Sequence, residues 1–277
     1  MTDSTPDRFF DFLEMNDRQS KPRDRGLTEI RGPYYSVMGK RYLEDVLETM
    51  GPYVDSLKFA GGSFTLIPRD ALTELLDLCH AHDTLVSTGG FAEYVLTQGE
   101  EAFVRYVEEC AEVGFDIVEL SAGFISLSTE DWLRTIEVVQ DHGLKAKPEI
   151  GIQFGAGGGV ASAEDLEQAG TLDVEWAIDQ AEQFVDAGAY LIMVESEGIT
   201  ENVDSWRTDV PARFADDVGL ENVMFEAADP EVFNWYVKNY GPEVNVFVDH
   251  SQIVQLECLR RGIWGSNDLW GRVQTFK

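Results

Sequence analysis

Residues 145–159 read KAKPEIGIQFGAGGG. Side chains alternate along an extended chain, so Lys145, Lys147 and Glu149 share one face of a strand. Two ammonium groups and a carboxylate in a row belong either to solvent or to a functional interior. Helices cover the outside of a (β/α)8 barrel, whereas alternate residues of every strand wall its lumen and chemistry collects at the strands' C-terminal ends. Lys145, Lys147 and Glu149 are therefore expected to climb a barrel lumen from base to mouth.

The rest of the chain supports that frame. Short apolar runs rich in β-formers occur at 26–31, 54–59, 84–88, 115–121, 144–150, 190–195, 222–227 and 244–249. Amphipathic stretches such as RDALTELLDLCHAH and EEAFVRYVEECAEVG separate them, and many end on glycine, the usual left-handed helix terminator. Eight strand–helix units with no break in composition predict one (β/α)8 TIM barrel over 21–277, preceded by a short polar arm over 1–20. A doubly wound open sheet would need a GxGxxG turn after its first strand; RGPYYS (31–36) is not one.

Charge dominates the composition, with 51 acidic against 21 basic residues, a net charge of −30 and a pI near 4.2. Nucleic acid and anionic membranes are poor partners for such a surface. The acidity runs through every predicted helix, as expected for a salt-rich cytoplasm, where a Debye length of about 3 Å at 1 M screens self-repulsion. No apolar run approaches the roughly 18 residues of a membrane span. The acidic start, MTDSTPDRFF, lacks the basic-then-apolar plan of a signal peptide. A cytoplasmic homo-oligomer acting on a small anionic substrate is expected. Cys79, Cys110 and Cys258 lie in helical patterns without a CxxC and are read as reduced packing residues.

Lumen parity applied to each strand yields a polar set for the mouth: Arg31, Lys58, Glu119, Ser121, Lys147, Glu149, Glu195, Glu226, Asn245 and Asp249. Buried carboxylates cost several kcal/mol each, roughly, unless paired or metal-bound. Glu119, Glu149 and Glu195 end three successive strands, and an all-oxygen set suits Mg2+. Such a site can stabilise an enediolate-like intermediate. The competing reading is a network of Lys–Glu pairs that fills the barrel. Asp249 is read either as a mouth group or as the cap of the last helix in VDHSQIVQLE, with His250 beside it. The FGAGGG run is either an anion loop or a lid. FAGGS and STGGF allow close backbone approach to a ligand.

KPRDRGLT, DSLKFAGGS, STGGFAEYV, GFDIVELSAGF, KPEIGIQ, MFEAADP and GPEVN, in that order, resemble the phosphosulfolactate synthase family. The resemblance implies a (β/α)8 barrel that adds sulfite to phosphoenolpyruvate with Mg2+. RGPYYS, STGGFAEYVLTQG, ESEGITENV, EAADPEVF and VDHSQIVQLECLRRGIWG are more similar still to a branch that includes plant heat-stress-associated proteins. Three segments depart from the synthases. ESEGIT stands where they carry an arginine-containing RESG-like stretch, GIQFGAGGG replaces their GK segment, and NVFVDH replaces their NLG.

On this basis the expected activity is a Mg2+-dependent lyase. Arg31, Lys58, Ser121, Asn245 and Arg207 are candidate substrate ligands, and Glu119, Glu149 and Glu195 candidate metal ligands. Lys147 is the expected proton donor, with Glu226, Asp249 and His250 as further mouth candidates. Two alternatives are a Schiff-base aldolase using Lys147 and a stress protein that keeps the barrel as a scaffold.

Overall fold

The computed structural model describes residues 9–153, 164, 170, 171, 173–263 and 273–275. Eight parallel strands close in sequence order: β1 Thr28–Arg31, β2 Ser56–Lys58, β3 Leu85–Ser87, β4 Ile117–Leu120, β5 Lys145–Ile150, β6 Ile192–Val194, β7 Val223–Glu226 and β8 Val246–Asp249. The barrel expected from the sequence is the barrel observed. The FGAGGG run lies outside the described residues.

Around the sheet, the described helices are α1 Lys40–Met50, α2 Arg69–Ala81, α3 Ala92–Leu96, α4 Glu100–Val113 and α5 Thr129–Asp141, then α6 Val174–Asp186, α7 Asp209–Arg213, α8 Pro230–Tyr240 and α9 Ile253–Arg260. Their limits follow local chemistry. Ser128 accepts a hydrogen bond from the Asp131 amide and so starts α5, and Asp173 does the same for α6 through the Glu175 amide. α4 stops at Gly114, whose φ of 104° favours a residue without Cβ.

Two apolar clusters hold the layers. The larger lies between the sheet and the helices. The smaller, Leu27, Leu191, Met193, Met224 and Phe247, belongs to the strands and the residues that lead into them. Register places Glu29 beside Phe247, Phe247 beside Glu226, and Met193 beside Glu149 and Met224, so this apolar group shares the lumen with the polar one.

From Asn16 onward the chain drapes the base. Asn16 Nδ2 donates to the carbonyls of Arg260 (3.0 Å) and Val273 (2.7 Å), Arg18 pairs with Glu257 at 3.2 Å, and Lys21 Nζ donates to Gly51, Val54, His82 and Thr84 oxygens. The boundary expected at residue 20 thus falls within a docked segment. Among the described residues, no helix is long and apolar enough to cross a membrane.

Candidate active site

At the C-terminal ends of the strands the lumen opens into a cavity of about 110 Å3. Beneath it runs a ladder of alternating charge. Lys147, with no exposed surface, pairs with Glu29 and stands 3.0 Å from Glu119 Oε2. Lys58 stands 2.7 Å from Glu119 Oε1 and 3.4 Å from Glu149 Oε2. Ser56 Oγ donates to the second Glu29 oxygen at 2.8 Å. Each rung compensates the next, which is how lysines and glutamates from four strands can share one buried lumen.

The electrostatics separate the carboxylates into two kinds. Burial pushes the Glu119 pKa up, but Lys58 and Lys147 outweigh it and hold it below the usual range. Burial pushes Glu149 up to about 8, reinforced by the Glu119 charge and only partly offset by Lys58. Glu195 is driven well above the ordinary value, first by burial and then by Glu226 and Glu149. Its Oε1 accepts the amides of Ser196 (3.0 Å) and Glu197 (3.2 Å). Burial would lower the Lys58 pKa, yet Glu119 and Glu149 together raise it, so Lys58 stays an ammonium.

Across the mouth Arg31 donates to Glu226 at 2.8 Å and lies 5.1 Å from the Phe247 ring and 5.4 Å from the Tyr35 ring. Ser121 Oγ donates to Glu93 at 3.3 Å, and Glu93 also accepts the Phe124 amide at 3.0 Å, tying α3 to the loop after β4. Close packing explains the glycines. A Cβ on Gly62, at φ 71°, would come within 2.2 Å of the Phe91 ring, and one on Gly90 within 2.9 Å of Ser121 Oγ.

The structure brings together Arg31, Lys58, Glu119, Ser121, Glu149, Glu195 and Glu226 on the cavity wall. Five expectations of place need correction: those for Asn245, Arg207, Lys147, His250 and Lys145. Asn245 sits at the base, where Oδ1 accepts the Leu27 amide and Nδ2 donates to the Leu220 and Val223 carbonyls. It precedes β8, so its lumen parity is right but its height is wrong. Arg207 is half exposed and held by both oxygens of Asp209 at 2.9 and 2.8 Å, away from the cavity wall. Lys147 lies one rung behind Glu119 and does not line the cavity. Of the two readings of Asp249, the cap is the one observed: its Oδ1 accepts from Ser251 N (2.9 Å) and Oγ (2.6 Å). His250 beside it donates Nδ1–H to the Arg31 carbonyl at 3.1 Å. Lys145 is at the exposed foot of β5, over the Tyr190 ring at 4.4 Å.

Several site residues were not identified from the sequence. Glu29 has the same parity as Arg31 and was legible in GLTEIR. Glu93 lies in the first turn of the short α3, and Glu197, Glu201, Tyr34 and Tyr35 lie in loops, so no strand periodicity points them to the cavity.

Seven carboxylates line the cavity (Glu93, Glu119, Glu149, Glu195, Glu197, Glu201 and Glu226) against the two cations Arg31 and Lys58, both already ion-paired. Residues 148–206 contain no lysine, arginine or histidine, so the β5–β6 side of the mouth has no basic residue in its own sequence. That imbalance fits a bound cation. Glu119 does not fit as a metal ligand, since each oxygen faces a lysine. Glu149 and Glu195, whose charges lack full compensation, do. Among the described residues no three His, Cys, Asp or Glu side chains are gathered to hold an ion by themselves. Mg2+ usually takes only one or two protein carboxylates and keeps several waters.

Fold and mouth together define a β/α-barrel protein with an acidic, lysine-backed site at the C-terminal end of its strands. The model of the (2R)-phospho-3-sulfolactate synthase (ComA) family matches residues 16–266, and the chain belongs to that family. It is 40% identical over 262 residues to Protein HEAT-STRESS-ASSOCIATED 32 of Arabidopsis thaliana, covering 91% of this chain and 92% of that protein. It is 26% identical over 271 residues to the phosphosulfolactate synthase of Methanothermobacter thermautotrophicus, covering 95% and 98%. Among solved structures, the carboxyl transferase domain from Rhizobium etli pyruvate carboxylase superposes with a TM-score of 0.53 at 14% identity. That match covers 82% of this chain but spans only 40% of the other, and shows the fold alone.

Proposed function

We propose that the protein is a Mg2+-dependent carbon–sulfur lyase of the phosphosulfolactate synthase type, adding sulfite to phosphoenolpyruvate or a related small acid. The observation that supports this most is the pair Glu149 and Glu195, two buried strand-end carboxylates facing one small cavity beside the Lys58 ammonium. Those two residues would hold the metal, which supplies stabilisation of the negative charge that grows on the substrate carboxylate as sulfite adds. Lys58, fixed by Glu119 and Glu149, binds that carboxylate and keeps a proton beside it. Arg31, flanked by Phe247 and Tyr35, is the guanidinium available to an anionic group. Lys147 acts through Glu119: by neutralising it, Lys147 fixes the charge of the carboxylate that orients Lys58. A carbonyl substrate could reach Lys147 only past Glu119, which disfavours the aldolase reading.

The test mixes protein, Mg2+, sulfite and phosphoenolpyruvate at molar KCl and follows phosphorus NMR. Product that depends on both Mg2+ and sulfite supports the reading; its absence, with Mg2+ still bound, points to another small acid. The 40% identity to the Arabidopsis protein supports a second reading, a role in heat stress carried out through the same mouth.

A further inference from the structure

Against the acidity of the chain, one cavity is built from cations. It measures about 390 Å3 and opens on the base of the barrel, the end opposite the mouth. Its wall comes from residues that follow helix ends: Gly51–Tyr53 after α1, His82 after α2 and Arg261 after α9. The segment from Asp17 to Arg23 is laid across them. Arg18, Lys21, Arg23 and Arg261 stand on that wall, and Arg260, with no exposed surface, is their neighbour at the end of α9. The whole chain has 21 lysines and arginines, so composition alone does not predict this gathering.

The partners of each cation show where charge is left over. Lys21 is fully engaged, since its ammonium donates to the Gly51, Val54 and His82 carbonyls and to Thr84 Oγ1. Glu257 takes Arg18 on one oxygen at 3.2 Å and Arg261 on the other at 2.8 Å. Asp55 Oδ1 stands 3.0 Å from Arg23 Nε, while its Oδ2 accepts the Thr28 amide at 2.8 Å. Arg260 donates to Thr28 Oγ1 and to the Leu27 and Val244 carbonyls. Four guanidinium groups (Arg18, Arg23, Arg260 and Arg261) thus share two buried carboxylates (Glu257 and Asp55). Asp17 and Asp83 also line the cavity, but both are exposed, and solvent screens them.

Arg23 is the sharpest case. Its side chain is 1% exposed, Nη2 donates to the Pro52 carbonyl, and Nη1 is buried with no hydrogen-bond partner among the described residues. Burial lowers its pKa; Asp55 opposes that shift, and the charges of Arg18 and Arg261 add to it. A buried charge without full compensation is costly, and the imbalance here is the reverse of the one at the mouth.

We propose that this cavity is a second ligand site, which takes a multivalent oxyanion, a phosphate or the phosphate group of a larger molecule, among Arg18, Arg23 and Arg261. Guanidinium groups match such anions through paired N–H donors. A buried ion of opposite sign supplies the compensation that Glu257 and Asp55 leave incomplete. The ligand would tie the N-terminal segment, which carries Arg18 and Arg23, to the end of α9, which carries Arg261. It therefore stabilises the docked segment and acts away from the mouth.

The test is calorimetric titration of the full chain at molar KCl, without Mg2+, using inorganic phosphate and ADP. Arg23→Gln, Arg261→Gln and Arg31→Gln are titrated alongside. Saturable binding is expected for the unaltered chain. Losing a charged hydrogen bond should weaken it about 10- to 100-fold in Arg23→Gln and in Arg261→Gln. Arg31→Gln, altered at the mouth, should bind as the unaltered chain does. If Arg23→Gln does not fold, Arg261→Gln decides, because its side chain is 12% exposed and is the more easily replaced. At equal ionic strength phosphate should also raise the thermal midpoint of the unaltered chain more than that of Arg261→Gln. That difference separates occupancy of the site from the general effect of phosphate on protein surfaces. ADP binding tighter than phosphate supports a phosphate-bearing molecule as occupant; phosphate binding at least as tightly supports the free ion. No saturable binding, or binding unchanged in both Arg23→Gln and Arg261→Gln, overturns the proposal. So does binding lost only in Arg31→Gln, which would put the anion at the mouth. None of these readouts uses activity, so failure here leaves the lyase reading standing, and the reverse.

Discussion

Lys58 Nζ lies 2.7 Å from Glu119 Oε1 inside the barrel, with Glu119 fully buried and Lys58 nearly so. The other Glu119 oxygen faces Lys147 at 3.0 Å. One carboxylate thus serves two ammonium groups, and its removal should be felt by both. Glu119→Gln is expected to lose about 3–5 kcal/mol in urea unfolding, the usual cost of leaving a buried charge uncompensated. A loss below about 1 kcal/mol would show that water or Glu29 takes over.

Mg2+ affinity should depend on Glu149. Glu149→Gln keeps the shape and removes the charge, so titration at molar KCl should show binding weakened by at least about tenfold, the lower end of what losing even an outer partner costs a metal site. Equal affinity would remove Glu149 from the ligand set. Glu119→Gln, by contrast, should leave no direct gap in the metal's coordination.

The raised Glu149 carboxyl sets the sign of the pH response. It binds its proton more tightly folded, near pH 8, than in its ordinary state near 4.5. Its contribution to stability is therefore complete below about 4.5 and is lost as pH rises through 8. The thermal midpoint of the metal-free protein should fall across that window, and Mg2+ should restore more of it at pH 8 than at pH 5. Calorimetry in two buffers near pH 7 should detect proton release on Mg2+ binding. Binding with no proton released would show that Glu149 is not displaced from its protonated form.

The −30 charge predicts a thermal midpoint that climbs with KCl, because the Debye length shrinks from about 10 Å at 0.1 M to about 3 Å at 1 M. Most surface ion pairs are weak and screened in the same way, so self-repulsion should set the trend. A midpoint that stays level from dilute to molar KCl would refute it.

Arg31 is the guanidinium on the cavity wall, and it is already engaged by Glu226. A charged hydrogen bond is worth about 1.5–3 kcal/mol. Arg31→Gln should therefore weaken phosphoenolpyruvate binding by about 10- to 100-fold. Arg207→Gln, tied to Asp209 and away from the cavity, should leave it unchanged. With both mouth cations paired, turnover of phosphoenolpyruvate and sulfite is expected well below about 1 per second. Phosphorus NMR under initial-rate conditions decides both points.

The eight strands, their order and the lumen parity of Lys147, Glu149, Glu195 and Glu226 were determined by the sequence alone. Each rests on a period of two within one short segment, and the glycine-terminated helices between strands leave little freedom in how they connect. The scarcity of cations from 148 to 206 was equally legible, since composition needs no coordinates. Height along the barrel was not. Parity says which face a side chain takes, but the stagger between strands says how far up it stands. That stagger sent Asn245 to the base, set Lys147 behind Glu119, and brought Glu29 beneath the mouth from more than a hundred residues away. The fates of Arg207 and Asp249 were likewise decided by neighbours, a carboxylate two residues on and a helix start. Only closure of the sheet converted a pattern of alternating residues into a ladder of compensated charges, because each rung takes its partner from a different strand.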